Sequence, residues 1–281
     1  MAILSIDLAT RHWSDLGIVV LDRARPAPSS ICWSAGPGLP PIPVFTPPIA
    51  SSPATSPITC EIILWDEAGL APGPVDAEIL AGRLNHFCAM RDIRVLMLDG
   101  PQAWKSRHNG LAYARVSERQ LNTATKTGLP GMVKPLTSRP FTEFCLDLYE
   151  ALCRRGWRRF ETSGQPGSTQ QRILVESSPQ AAWKSLGLKP LPPKRRTMVS
   201  DLAASYAALR ALIPFTTSRP PNHDQLQAIV GGLPGLALEE RNTAGARIVG
   251  NPPRREDGHW REGFIVLPLP PMPPLEVRWL H

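Results

Sequence analysis

Cysteine is scarce in this 281-residue chain, and the five present (Cys32, Cys60, Cys88, Cys145, Cys153) include no C-x-x-C pair. An odd count without that spacing argues against both a disulfide scaffold and a structural zinc site. Cys145 and Cys153 lie about two turns apart in a helical stretch and read as small core residues. Long apolar runs are also missing: none approaches the roughly 18 to 20 residues a membrane helix needs. The opening MAILSIDLAT has no basic region before its apolar run and meets Asp7 too early for a signal peptide. A cytoplasmic protein is expected. No P-loop, G-x-S-x-G elbow or G-x-G-x-x-G turn is present, which removes the common phosphate-loop, serine-hydrolase and dinucleotide chemistries. Acids are outnumbered by bases, 24 to 31, and the net charge of +7 suits a polyanionic partner such as nucleic acid. A merely basic surface has the same composition.

Proline, by contrast, is abundant at 32 residues, too many for an evenly packed domain. Ten of them crowd residues 26–58, where periodicity is lost, so this stretch reads as a loop insertion in a single domain. Residues 268–281 form a proline-rich tail. Between these segments the pattern is α/β. Ala2–Asp7 and Gly17–Leu21 are apolar runs spaced as an antiparallel hairpin, and Glu61–Trp65 returns as a third strand. Val75–Arg91 has helical periodicity and leads into the apolar strand Ile93–Leu98, half of a β-α-β unit. Helices are expected over Leu111–Thr125 and Phe141–Arg154, a strand over Gln171–Glu176, and helices over Pro179–Leu186 and Thr197–Leu212. After Pro220-Pro221-Asn222 a last helix runs over His223–Leu238, with one more strand at Phe264–Leu267.

Three apolar runs end in an acid: Asp7 after AILSI, Asp99 after IRVLML and Glu176 after RILV. A single strand-end acid is ordinarily a turn residue or a helix cap. Acids at the carboxyl ends of neighbouring parallel strands converge, however, because that edge is where open α/β sheets bind ligands. Converging carboxylates repel unless a cation stands between them, and oxygen donors select Mg²⁺ or Mn²⁺. Asp224, in the first turn of the last helix, is a fourth acid, though its favourable placement against the helix dipole would explain it alone.

The chain resembles the family catalogued as domain of unknown function four-two-nine, predicted nucleases of ribonuclease H-like fold. The resemblance lies in LSIDLA at Leu4–Ala9, VLMLDGPQ at Val95–Gln102 and VESSPQAAWKSLG at Val175–Gly187. It continues through Lys194-Arg195-Arg196 and NHDQLQAIVGGL at Asn222–Leu233. It implies a ribonuclease H-like mixed sheet, with antiparallel hairpin strands plus parallel strands flanked by helices. It also implies that Asp7, Asp99, Glu176 and Asp224 form a catalytic cluster, with Asp7, Asp99 and Asp224 holding Mg²⁺ or Mn²⁺. The chain departs from the pattern at Gln180 and Gln227, where such families carry further acids.

Basic residues near these segments are candidate phosphate contacts: Lys105 and Arg107 beside His108, then Arg115 and Arg119 four apart on one helix face, then Lys194, Arg195 and Arg196. Each group reads equally as a solvated face. Trp104 and Trp183 could stack on bases, although most tryptophans are core residues. His223 could aid proton transfer or simply cap its helix. The expected function is metal-dependent hydrolysis of nucleic acid. The alternative is a nuclease-like module, weakened by the two glutamines, that binds nucleic acid or a protein partner. An actin-like kinase fold begins similarly, but its phosphate loop needs glycines where this chain has Leu8-Ala9-Thr10.

Overall fold

The computed structural model describes residues 2–23, 57–64, 73–124, 126–135, 137–162 and 171–270. The chain opens with strand β1 (Ala2–Asp7), which turns through a short 3₁₀ segment, Trp13–Asp15, into β2 (Gly17–Arg23). β3 (Ile58–Ile63) extends the meander, and helix α1 (Ala77–Met90) leads to β4 (Val95–Asp99). Then come α2 (Val116–Leu121), α3 (Arg139–Arg154), β5 (Arg158–Arg159), β6 (Ile173–Ser177) and α4 (Pro179–Ser185). α5 (Val199–Leu212), β7 (Phe215–Thr217) and α6 (His223–Glu239) follow. The described chain closes with β8 (Ala246–Val249), β9 (Arg254–Glu256), β10 (His259–Arg261) and β11 (Ile265–Pro268).

Among the described residues nine strands form one mixed sheet in the order β7-β3-β2-β1-β4-β6-β11-β8, with β5 beside β6. β1-β2-β3 is the antiparallel meander that the hairpin spacing predicts. β4 joins β1 in parallel, and β6 joins β4 in parallel. Helices cover both faces of this α/β sheet, an arrangement compatible with a ribonuclease H-like fold. β9 and β10 pair separately as a small hairpin. No helix among the described residues is long and apolar enough to cross a membrane.

Side-chain parity divides the core in two, because successive residues of a strand face opposite sides of the sheet. Ile3, Val19, Leu21, Met97 and Val175 pack under α6 and α4. Leu4, Ile6, Ile18, Leu96, Leu98 and Leu174 pack under α1 and α3. α6 lies almost flat on the strands, and Ser5 Oγ donates to the Ala228 carbonyl at 2.7 Å. Gly232 permits this approach: a Cβ there would stand 2.6 Å from the Ser5 Cβ. The helix starts after Pro220-Pro221 because Asn222 and Gln225 cap each other, each side chain accepting from the other's backbone N–H at 2.9 Å.

Several boundaries differ from the sequence reading. β3 begins at Ile58, inside the stretch assigned to the insertion, and ends before Trp65. Residues 24–56 and 271–281, most of the insertion and of the tail, lie outside the described residues. The helix expected from Leu111 shrinks to six residues. Its first part is held open because Glu262 accepts from the Val116 N–H at 2.8 Å, and Asn122 ends it in the left-handed region. Cys145 is fully buried as a core residue, whereas Cys153 is half-buried and its Sγ accepts from Arg159 at 3.1 Å.

Candidate functional site

The parallel pairing of β1 with β4 sets Asp7 directly opposite Asp99. Both belong to the α6 side of the sheet, as their neighbours Ser5 and Met97 do. The two carboxyl groups share a hydrogen bond. Burial raises the Asp7 pKa well above the usual carboxylate range, Asp99 and Asp224 push it further, and Lys194 pulls the other way. Asp99 is pushed up to about 6, by burial first and then by Glu176, against the stabilising hydrogen bond from Asp7. Two acids this close hold one proton between them.

Asp224 reaches the same place from the first turn of α6. Its approach depends on Gly17, which pairs with Asp7 across the hairpin. A Cβ on Gly17 would lie 2.1 Å from the Asp224 carbonyl oxygen, so only glycine lets the helix end settle over the strand end. Burial alone would raise the Asp224 pKa, but His223 and Lys194 outweigh it and hold it low. His223 Nδ1 faces Asp224 Oδ1 at 3.0 Å, and its Nε2 faces the Pro192 carbonyl at 3.0 Å. Lys194 Nζ donates to Asp224 Oδ2 and, at 3.0 Å, to Asp15 Oδ1.

One donor atom each from Asp7, His223 and Asp224 lie within 4.8 Å of one another. Both His223 nitrogens face acceptors, so this ring serves best as an orienting group for Asp224. The oxygens of Asp7, Asp99 and Asp224 are then the donors that would suit a hard divalent cation.

Glu176 behaves differently. It lies opposite Leu98, not Asp99, and Ser177 is the β6 residue in register with Asp99. Glu176 therefore leans toward the α3 side, where Arg115 clamps it through two bonds at 2.6 and 2.5 Å and the Gln102 N–H donates at 3.0 Å. The same guanidinium binds Glu118 at 3.0 Å. Desolvation opposes the Arg115 charge, but Glu176 and Glu118 outweigh it and raise its pKa. Asp99 and Glu176 both line a cleft of about 220 Å³ together with Gln180, Lys184 and Gln227.

The basic candidates separate in the same way. Arg115, expected beside Arg119 on an exposed helix face, is instead buried at the start of α2, drawn inward by its two glutamates. Arg119 is exposed. Lys105 is 5% exposed and donates to the Ser106 carbonyl, so it is no rim contact. Arg107 is exposed and pairs with Asp257 at 3.1 Å, with exposed His108 beside it. Lys194 turns to Asp224, while Arg195 and Arg196 stay exposed. Trp104 and Trp183 are both buried, and Trp183 Nε1 donates to Gln227 Oε1 at 2.8 Å, which gives that glutamine a structural partner. Gln180 is exposed at the cleft. The sequence reading missed Asp15, whose only signal was its place in the turn that returns to the end of β1.

Comparison with protein-family models, curated proteins and solved structures finds no match to this chain.

Proposed function

We propose that this chain is a metal-dependent hydrolase of phosphodiester bonds in nucleic acid, with Asp7, Asp99 and Asp224 holding Mg²⁺ or Mn²⁺. The observation that carries the reading is the in-register pair Asp7 and Asp99, hydrogen-bonded to each other with both pKa values raised, a place where positive charge is wanted. A bound divalent ion would supply an acidified water and neutralise charge on the phosphate. Asp7, Asp99 and Asp224 would hold the ion, His223 fixes the Asp224 carboxylate, and Lys184 offers a positive charge at the cleft wall. Exposed Arg195 and Arg196 and the net charge of +7 favour a polyanionic substrate. The free thiols of Cys60, Cys88, Cys145 and Cys153 suit the reducing cytoplasm.

The test is calorimetric titration of Mn²⁺ combined with cleavage of single- and double-stranded substrates. Wild type should bind Mn²⁺ and cleave only with the ion present, and Asp7→Asn should lose both while staying folded. Equal cleavage by Asp7→Asn and wild type would overturn the reading. A second reading, a nucleic-acid-binding module without catalysis, is favoured by the internal cations Lys194 on Asp224 and Arg115 on Glu176. Salt-dependent binding without metal uptake would select it.

A further inference from the structure

Among the described residues, Arg115, His223 and Lys194 are bonded to the acids at this end of the sheet, and they have different standing. Arg115 is sealed inside with Glu176 and Glu118, with 1% of its side chain exposed. His223 is tied to both Asp224 and the Pro192 carbonyl. Lys194 is the one whose side chain is half exposed, at 50%, while its ammonium bridges Asp224 and Asp15. Its backbone is fixed in a short 3₁₀ turn, Lys194–Arg196. The Thr197 hydroxyl closes that turn on the Pro192 carbonyl at 2.9 Å, and His223 holds the same carbonyl from the other side. The ammonium is therefore placed by the fold and does not wander on a free loop.

Charge at the cluster supports only so much cation. Asp7 and Asp99 stand in register across β1 and β4, and Asp224 is already paired with Lys194. Gln180 and Gln227 are neutral, and Glu176 is matched by Arg115. We propose that Lys194 acts as a resident second cation, so that the cluster takes a single divalent ion among Asp7, Asp99 and Asp224, with the ammonium on Asp224 Oδ2 standing in for a second ion. This inference rests on the metal-dependent reading above. It makes Lys194 a positioning and charge-setting residue rather than one of several phosphate contacts. A lysine ammonium is a compact point charge, close in kind to a small metal ion, which is why it can fill this role.

Isothermal titration with Mn²⁺ tests it, on wild type, Lys194→Met and Lys194→Arg, with thermal melts confirming that each is folded. Wild type should take one ion per chain. Lys194→Met, which keeps an unbranched stem and removes the charge, should take two. Lys194→Arg should restore the count to one, a rescue that a purely structural loss would not give. Two ions in wild type, or one in Lys194→Met, would overturn the inference while leaving the metal reading intact. No ion in wild type but one in Lys194→Met would overturn both the single-ion count and the metal reading. No ion in any variant would overturn both.

Discussion

The two acidic clusters at the end of this sheet are built from the same ingredients and differ in the partners that meet them. Glu176, at the end of β6, is matched by a buried arginine that also serves Glu118, and every oxygen of that triad has a donor at hydrogen-bond distance. Asp7 and Asp99, at the ends of β1 and β4, face each other with no arginine bonded to them among the described residues; burial lifts both pKa values, as it does that of Glu176, but at Glu176 Arg115 works against the rise. The difference comes from one residue of register. Glu176 pairs with Leu98 and so leans to the α3 side, where Arg115 waits. Asp99 and Asp7 share the α6 side, where Lys194 is bonded to Asp224. An acid ending an apolar strand is thus a candidate for chemistry only when its face leaves it uncompensated. The compensated acid holds the fold.

The largest effect that would break this comparison is at Arg115. Arg115→Met should destabilise the protein by about 3–5 kcal/mol, because it strands Glu176 and Glu118 as buried charges. Urea denaturation measures this, and Asp7→Asn run alongside should move the midpoint far less. Similar midpoint shifts for the two variants would mean that both acid pairs are structural.

Much of this was legible in the sequence, and the part that was not has a physical reason. The apolar runs before Asp7 and Asp99 placed both acids at strand ends, and the hairpin spacing placed β2 against β1. The face of Glu176 was hidden because strands buried on both sides lose the alternation that reports parity. Short edge elements such as β7, β9 and β10, three residues each, carry too little pattern to see. The partners of Asp224 were hidden by distance along the chain: Lys194 lies 30 residues away, and Asp15 lies 179 residues from Lys194. Arg115 looked like half of an exposed helical pair because nothing local shows that its helix begins only at Val116.

Gly17→Ala sharpens the comparison from the other side, with a smaller cost. The new methyl meets the Asp224 backbone, and relieving that overlap by shifting the start of α6 should cost about 1–3 kcal/mol. The same shift carries Asp224 away from Asp7, so Mn²⁺ affinity should fall together with stability. Arg115→Met should lower stability with Mn²⁺ affinity retained under conditions where the variant is still folded. Should Gly17→Ala bind Mn²⁺ as wild type does, Asp224 is not part of the cluster that holds the ion.

The smallest effect is the most diagnostic, because its sign depends on which acids are uncompensated. Asp7 and Asp99 have pKa values raised in the folded protein, so the metal-free fold is favoured while they stay protonated. That contribution is complete below the ordinary carboxylate pKa of about 3.9; for Asp99 it is lost as pH rises through about 6, and for Asp7, raised further still, it persists to higher pH. In Asp7→Asn the amide can donate to Asp99 without any proton to lose, so the part of the penalty carried by Asp7 should vanish. Without metal, the variant should therefore gain stability relative to wild type between pH 4 and pH 7, by on the order of 1 kcal/mol once solvent screening at this partly exposed rim is allowed for. Acids held low by partners, such as Asp224, lose their contribution as pH falls, but they are common to both proteins and cancel in the difference. Thermal melts across that pH range give the measurement, and saturating Mn²⁺ should reverse the order of the two proteins by stabilising wild type alone. A flat difference across the range would show that Asp7 and Asp99 already have a compensating partner, and the contrast with Glu176 would collapse.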